Sequence, residues 1–256
     1  MCSLSQGIKF KRMKYFGSIL LPVLLACLMS SCEKDACLKN AGKESIEEME
    51  SPAFNKLRVH DFVDVRLKES TDHRIKLKGG ANLLPSIEIN TEGETLIIKN
   101  SNRCSWMRDA RERVEVIIYS PSIEKIEFLG YGDLIADDLK VQKLELRTFR
   151  SLRDLNFRVT ADSLMFFLEQ GAPDIYLEGQ ADYLYIYHAG TGRVFAEGLQ
   201  VRNKIHLNHE STGHFHVFPK EKLLLEIKGS GNIYSYHKPS ELTIAQIGRG
   251  MYIPSY

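Results

Sequence analysis

Leu225-Glu-Ile-Lys-Gly-Ser-Gly-Asn-Ile-Tyr-Ser235 contains, in one short stretch, the pattern that much of the chain repeats. An alternation of apolar and polar residues leads into a glycine-containing turn, and a second alternation follows the turn. The same pattern recurs about every twenty residues between Ile123 and Lys238. A repeat of this length is typical of a solenoid, in which each copy forms one coil.

Six copies of the repeat align in columns. The position after the turn is apolar in every copy, at Leu134, Leu155, Ile175, Val194, Phe215 and Ile233. The preceding strand supplies a second apolar column, at Phe128, Leu146, Phe166, Ile186, Leu207 and Ile227. Adjacent positions are mixed, as at Glu127, Arg147 and His206. This alternation is typical of half-buried strands whose apolar faces meet in a shared core.

We therefore predict an all-β fold over residues 53–256, with a parallel β-helix or β-solenoid of about six coils over residues 123–256. Coils spaced by about 4.8 Å would form a rod about 30 Å long. Residues 53–122 contain strand patterns but lack the repeat, and we interpret them as an N-terminal β cap that covers one end. The alternative is a β-sandwich of ordinary hairpins.

Residues 1–31 have the pattern of a secretion signal. Four basic residues precede the apolar run Ile19–Met29, and Ser30 and Ser31 lead into Cys32. The run is shorter than the roughly twenty residues that a membrane-spanning helix needs. Small residues before a cysteine resemble the lipobox of bacterial lipoproteins, which implies cleavage before Cys32 and lipidation of Cys32. Translation could begin at Met1 or Met13, and an uncleaved anchor helix is the alternative.

Residues 32–52 are polar and charged, and we interpret them as a tether, with a weak helix considered over Glu44–Met49. Glu33-Lys34-Asp35 resembles the surface-export signal of Bacteroidetes lipoproteins. An outer-membrane lipoprotein, facing either the periplasm or the surface, is therefore expected. Cys37 and Cys104 could form a disulfide in an oxidising compartment or remain two free thiols.

Charge and motif content exclude some functions. Removal of residues 1–31 leaves 30 basic and 33 acidic residues, a net charge of −3. This balance argues against nucleic acid as a partner, because nucleic-acid binding requires a concentrated basic face. The sequence contains no recognised motif for a catalytic nucleophile, a zinc protease, a phosphate loop or a calcium loop, and we predict no cofactor and no metal site.

One candidate catalytic arrangement is a ladder of turn residues, Asp133, Asp154 and Asp174. On adjacent coils, equivalent carboxylates would lie about 4.8 Å apart, and about 9.6 Å apart on alternate coils. These separations resemble those of glycosidases, and like charges so close would raise one pKa. The alternative is a structural role, because aspartates beside turns commonly bind local backbone amides.

A second candidate is an outward aromatic band for binding, formed by Phe167, Tyr183, Tyr185, Tyr187 and His206. Exposed apolar patches often mark binding surfaces, although cross-strand packing explains such a band equally simply. His206, His209, His214 and His216 also cluster in the sequence. His214 and His216 share a strand face and could both reach one metal, but no acidic or cysteine ligand except Glu210 is fixed beside them, and we interpret the four histidines as solvated.

Several segments resemble the putative auto-transporter adhesin, head GIN domain family. They include Phe54-Asn-Lys-Leu-Arg-Val59, Val116-Ile-Ile-Tyr-Ser-Pro-Ser-Ile-Glu-Lys-Ile126 and the turns Gly130-Tyr-Gly-Asp133 and Gly229-Ser-Gly-Asn232. The resemblance extends over about residues 54–256 and implies a β-solenoid-like fold on a secreted or lipid-anchored bacterial protein.

Three functional hypotheses remain open at this point. The first is a lipid-anchored, non-enzymatic module of the cell envelope that binds a glycan or a surface protein through the aromatic band. The second is a polysaccharide-processing, pectinase-like enzyme that uses the aspartate ladder. The third is a structural envelope component.

Overall fold

The computed structural model describes residues 40–102 and 113–256 of the chain. These residues form a nearly all-β structure in which the helical content is one short 3-10 turn, Leu84–Ser86. The strands are β1 Glu44–Glu50, β2 Lys56–Asp61, β3 Asp64–Glu69, β4 Arg74–Gly80, β5 Ile87–Glu92, β6 Thr95–Asn100, β7 Glu115–Ser120, β8 Lys125–Gly130, β9 Leu134–Thr148, β10 Leu155–Leu168, β11 Ile175–His188, β12 Val194–His209, β13 Phe215–Pro219, β14 Lys222–Ile227, β15 Ile233–Ser235, β16 Glu241–Gln246 and β17 Tyr252–Pro254.

The strands stack in two parallel ladders, here called wall A and wall B. Wall A contains β8, the second halves of β9 to β12, then β14 and β16. Wall B contains the first halves of β9 to β12, then β13, β15 and β17. Each long strand therefore passes from wall B into wall A, and a turn returns the chain to wall B one level higher. The predicted β-solenoid of about six coils is confirmed.

The register confirms one predicted column and corrects the ends of the other. Leu134, Leu155, Ile175, Val194, Phe215 and Ile233 pair in succession along wall B. In wall A, however, Ile126 and not Phe128 pairs with Leu146, and Leu225 and not Ile227 pairs with Leu207. A shift of two residues keeps a side chain on the same face of a strand, so apolar alternation alone does not distinguish the two registers.

The segment before the repeats takes part in the same stack. Strand β2 pairs in parallel with β6 and β8, and β3 pairs in parallel with β7 and β9. The β2–β3 coil is therefore inserted between the β6–β7 coil and the first repeat. At that end of the rod, β5 pairs antiparallel with β6, and β4 pairs antiparallel with β7.

Residues 44–50 correct the helix considered from the sequence. They form strand β1, which pairs antiparallel with β4 from Glu44↔Gly80 to Glu50↔Arg74. Backbone pairing with an existing edge strand outweighs the weak helical preference of an isolated glutamate-rich segment. Residues 32–39 of the predicted tether lie outside the described residues.

The core lies between the walls and is almost entirely apolar. Alternate residues of every repeat strand are buried, and Phe157 of wall B packs edge-on against Phe166 of wall A with ring centroids 5.3 Å apart. Burying a side chain of this size stabilises the fold by about 1.5–3 kcal/mol.

Turns between wall A and wall B stack backbone on backbone. A Cβ atom on Gly213 would lie 1.7 Å from the carbonyl oxygen of Gly192, and a Cβ on Gly231 would lie 1.8 Å from that of Gly213. Real Cβ atoms do not approach an oxygen so closely, so these positions require glycine whatever their φ angle. The Thr191 N–H donates to Gly171 O at 2.9 Å and thus extends the strand hydrogen bonding into the turns.

Two histidines interrupt the apolar core beside these turns. His209 is buried, and its Nε2 atom lies 2.8 Å from Gly231 O while its Nδ1 atom lies 3.0 Å from Ser211 Oγ. His188, one coil earlier, is fully buried against Phe215, and neither of its ring nitrogens has a hydrogen-bonding partner among the described residues. Burial, assisted by nearby His209, lowers the pKa of His188 to about 4.

His188 should make the fold acid-sensitive. Between pH 6.5 and 4 the unfolded chain binds a proton at this imidazole and the folded protein does not, so stability falls as pH falls through this window. The full effect is roughly 3 kcal/mol. We expect His188→Leu to remove this part of the slope in urea unfolding at pH 7.5, 6, 5 and 4, while the contributions of the other titrating groups, including His209, remain. An unchanged slope would show that His188 is already protonated in the folded state.

Candidate functional site

The aspartate ladder exists in the structure and is one residue longer than predicted. Backbone hydrogen bonds run from Leu134 N to Asp154 O and from Leu155 N to Asp174 O, so the predicted aspartates occupy equivalent positions on successive coils. Val65 N donates to Asp133 O, which places Asp64 one level below Asp133. Asp64 was missed because the β2–β3 coil lies 69 residues earlier in the sequence.

Arginines neutralise two of the predicted carboxylates. Arg153 Nε and Nη2 donate to the two oxygens of Asp133 at 3.1 and 3.0 Å. Arg193 Nε donates to Asp174 Oδ1 at 3.2 Å, and its Nη2 forms a short ion pair with Asp174 Oδ2. Bidentate pairs of this kind hold both partners in a fixed geometry.

Several side chains of the column bind a backbone amide one level higher. The Asp133 N–H donates to Asp64 Oδ1 at 2.9 Å, and the Arg193 N–H donates to Asp174 Oδ1 at 2.9 Å. Further up the column, the Asn232 N–H donates to His214 Nδ1 at 2.9 Å. The shared role of unlike side chains indicates that this column satisfies amides that the turns leave unpaired.

The electrostatics of Asp174 do not match the requirement of a general acid. Partial burial pushes the pKa of the Asp174 carboxyl upward, but the hydrogen bonds from Arg193 outweigh it and place that pKa below its usual value. Burial raises the pKa of Asp64, which also has Arg113 Nη1 at 3.5 Å from Oδ1. A general acid requires a raised pKa and a free proton, and the geometry of Asp174 provides neither.

The predicted aromatic band lies on the outer face of wall A. Its members are half-buried, whereas the residues between them, such as Phe166 and Ile186, are buried in the core. The ring centroids of Phe167 and Tyr185 are 5.4 Å apart, and those of Tyr185 and His206 are 5.0 Å apart. The structure therefore brings these three predicted residues together in one contiguous surface.

Charged groups border the band. The guanidinium of Arg147 lies 4.1 Å from the ring centroid of Phe167. Tyr187 Oη donates to Glu210 Oε2 at 3.3 Å, and His206 Nε2 lies 2.8 Å from Glu226 Oε1. The hydrogen bond to His206 is the main cause of the lowered pKa of Glu226. Tyr183 lies on the same strand face, and burial raises its pKa.

Wall B carries a second aromatic column that the sequence analysis missed. Tyr176, Phe195, His216 and Tyr234 pair in register on consecutive coils. Their rings are stacked nearly parallel, with centroids 4.9–5.1 Å apart and interplanar angles of 8–15°. Because each ring covers the face of the next, the column presents ring edges to solvent. The wall A rings are instead tilted by 55–69° relative to one another.

The four clustered histidines serve separate local roles. His206 belongs to the wall A band, His209 is buried in the core, and His214 and His216 face the outside of wall B. The described residues contain no group of three or more histidine, cysteine or acidic residues that could hold a metal ion. Because His209 is buried, the interpretation of all four histidines as solvated is wrong for this residue.

Comparison with known proteins identifies the family. Residues 53–239 match the family described as putative auto-transporter adhesin, head GIN domain. The chain belongs to this family. No curated protein matches the chain.

Several solved structures share the fold of this chain. A putative adhesin from Bacteroides fragilis aligns with a TM-score of 0.74 and 19% identity over 83% of this chain and 97% of that chain. A putative lipid binding protein from Parabacteroides distasonis aligns with a TM-score of 0.63 and 19% identity over 84% and 98%. A putative adhesin from the same species aligns with a TM-score of 0.59 and 18% identity over 83% and 97%. Because the sequence identities are this low, the structural alignments establish a shared fold and not a shared function.

Three predicted features lie outside the described residues: the signal segment 1–31, the lipidation site Cys32, and the disulfide between Cys37 and Cys104. They stay predictions. No helix in the described part of the chain is long and apolar enough to cross a membrane.

Mutation can distinguish a ladder aspartate that is paired with an arginine, Asp174, from Asp154, which lacks such a pair in the described part of the chain. We expect Asp174→Ala to destabilise the fold by about 1–2 kcal/mol, because it removes the acceptor of the Arg193 amide and of its guanidinium. Asp154→Ala is the matched control, since the Asp154 carboxylate has no ion-pair partner among the described residues and its loss should change stability by less than about 0.5 kcal/mol. Urea unfolding measures both, and equal effects would contradict the structural role assigned to Asp174.

Proposed function

We propose that this head GIN domain is a non-enzymatic adhesion module of the cell envelope and that it binds a glycan through the wall A band. The family and the neighbouring structures support an adhesion or binding role without indicating the ligand. The contiguous half-exposed rings of Phe167, Tyr185 and His206 are the observation that carries the choice of surface.

The shape and chemistry of the band favour a sugar over other ligands. The tilted rings leave apolar ring area at the surface, which can pack against the C–H groups of a sugar ring. Arg147, Glu210 and Glu226 border the rings and can hydrogen-bond hydroxyl groups. The band lies along an open wall and follows successive coils, so an extended polysaccharide fits it better than a small molecule that needs an enclosed pocket.

A lipid ligand has less support. One neighbouring structure is described as a putative lipid binding protein. In this chain the interior between the walls is filled by buried side chains. A cleft of about 480 Å³ near the end of the rod is lined by charged residues that include Asp64, Arg66 and Arg113. An acyl chain requires an apolar cavity, and this cleft does not provide one.

The alternative, a polysaccharide-processing enzyme, has one supporting observation. Asp64 has a raised pKa and lies next to Asp133 in that cleft, as an acid–base pair would. Against it, Asp64 accepts the Asp133 amide, and Asp133 is paired with Arg153. Both carboxylates are thus already engaged in contacts that hold the coils together.

We expect Tyr185→Ala to weaken glycan binding by about tenfold or more, the loss typical of a central aromatic contact. Tyr176→Ala in the wall B column is the matched control, because Tyr176 is also half-buried and its ring is stacked on the next coil. A glycan array identifies the ligand, and calorimetry with that ligand compares the variants, with circular dichroism confirming that each is folded. The proposal would be contradicted if the protein bound no glycan on the array, or if both variants lost glycan affinity equally. Release of shortened products would support the enzyme.

The proposal includes anchorage of the protein to the outer membrane through lipid on Cys32. Two or more acyl chains give stable anchorage, whereas one gives reversible binding. We expect mass spectrometry of the protein from membranes to find an acylated N-terminal peptide that begins at Cys32. Cys32→Ser should release the protein from the membrane fraction, and an unmodified cysteine in the native protein would refute the anchor.

A further inference from the structure

Strand β16 forms an exposed edge at the end of wall A. One side of β16 pairs with β14, and its other side has no partner strand among residues 40–102 and 113–256. All six of its residues are exposed. Leu242 and Ile244 continue the inward column of Leu223 and Leu225, which are buried, yet they remain 42% and 39% exposed. The apolar core of the solenoid is therefore open at this end.

The hydrogen bonds to β14 determine which backbone groups of β16 are free. Glu241 N donates to Glu221 O, and Ile247 N donates to Ile227 O. In a β-strand the N–H and C=O groups of one residue point to the same side, and the side alternates from residue to residue. The odd-numbered residues of β16 therefore direct both backbone groups toward β14. The N–H and C=O groups of Leu242, Ile244 and Gln246 consequently point outward.

Two other edge strands, β17 and β1, are protected, in contrast to β16. In β17, Ile233 N donates to Met251 O and Ser255 N donates to Ser235 O, so Pro254 faces the open side and offers no N–H. At the opposite end of the rod, β1 carries Glu44, Glu47, Glu48 and Glu50. Prolines and charges are the usual means of preventing strand pairing at an edge. Strand β16 carries one charge, Glu241 at its first position, and the segment Leu242–Ile247 that follows contains neither a proline nor a charge.

We propose that β16 pairs antiparallel with β16 of a second copy of this chain and so forms a closed, end-to-end dimer. Pairing centred on Ile244 places Ile244 opposite Ile244 of the second copy and Leu242 opposite Gln246. This register aligns the outward backbone groups of all three residues, which form six hydrogen bonds, two for each opposed pair. It also brings the inward apolar side chains of the two cores together.

Self-complementarity at one register is the reason for choosing a second copy over another protein. A two-fold axis requires the same strand to match itself in hydrogen bonding and in side-chain face, and β16 does both. Beyond β9, wall B continues through β3, β7 and β4 to β1. Head-to-tail growth is disfavoured, because it would bring the glutamates of β1 against the edge that carries Pro254. The expected assembly is therefore a dimer and not a filament.

Sedimentation of the full-length protein in detergent tests the proposal directly. The wild-type chain should sediment as a dimer. Ile244→Lys should raise the dissociation constant about 100-fold or more, because it places two like charges at the two-fold axis. Thr243→Lys is the matched control: it lies on the same strand but on the outer face, and the variant should remain dimeric. Circular dichroism should show that both variants are folded.

Cysteine cross-linking tests the register independently. In the proposed pairing, Thr243 lies opposite Ala245 of the second copy as a non-hydrogen-bonded pair, with Cα atoms about 4.5 Å apart, within the range that a disulfide spans. Thr243→Cys/Ala245→Cys should give a cross-linked dimer on a non-reducing gel, whereas Glu241→Cys/Thr243→Cys should behave like the wild-type chain. A monomeric wild type, a dimeric Ile244→Lys variant, open-ended polymers or equal cross-linking of the two double variants would each overturn the proposal.

Discussion

At several glycine positions the turns of this solenoid lie so close to one another that no side chain fits between them, and the stacking of the coils depends on that contact. At Gly192, Gly213 and Gly231 a Cβ atom would lie 1.7–1.8 Å from a carbonyl oxygen of the preceding turn. Turn amides donate across the same gap, as from Arg249 N to Gly229 O at 3.0 Å. The strand spacing of about 4.8 Å therefore continues around the coil, and equivalent residues of successive coils form straight columns.

Because equivalent residues form columns, each face of the rod has its own chemical character. Inward columns form one apolar core, interrupted by His188 and His209 where the walls meet the turns. The column beside the turns binds amides and arginines through Asp133 and Asp174. Outward columns place like residues beside like, which produces stacked rings on wall B and tilted rings on wall A. A chemical difference between the two aromatic surfaces thus arises from ring orientation and not from composition.

The repeat in the sequence predicts the solenoid, its approximate number of coils and the placement of Asp154 and Tyr185, because these depend only on a period of about twenty residues. It does not predict the pairing of β2 with β8 and of β3 with β9, since these contacts join residues far apart in sequence and the segment that contains β2 and β3 lacks the repeat. Asp64 was missed for this reason. The register at Phe128 and the orientation of the rings at Phe195 also require three-dimensional packing, because alternation reports only which face a residue occupies.

The functional account depends on a rigid rod, since only fixed columns hold Phe167, Tyr185 and His206 in one surface. Native-state hydrogen exchange of the turn amides tests that rigidity most directly. The account predicts that the amides of Ala172, Thr191 and Arg249, which donate to the preceding turns, exchange as slowly as those of the neighbouring strands. Exchange at rates typical of unstructured loops would show that the turns are not stacked and would contradict the account.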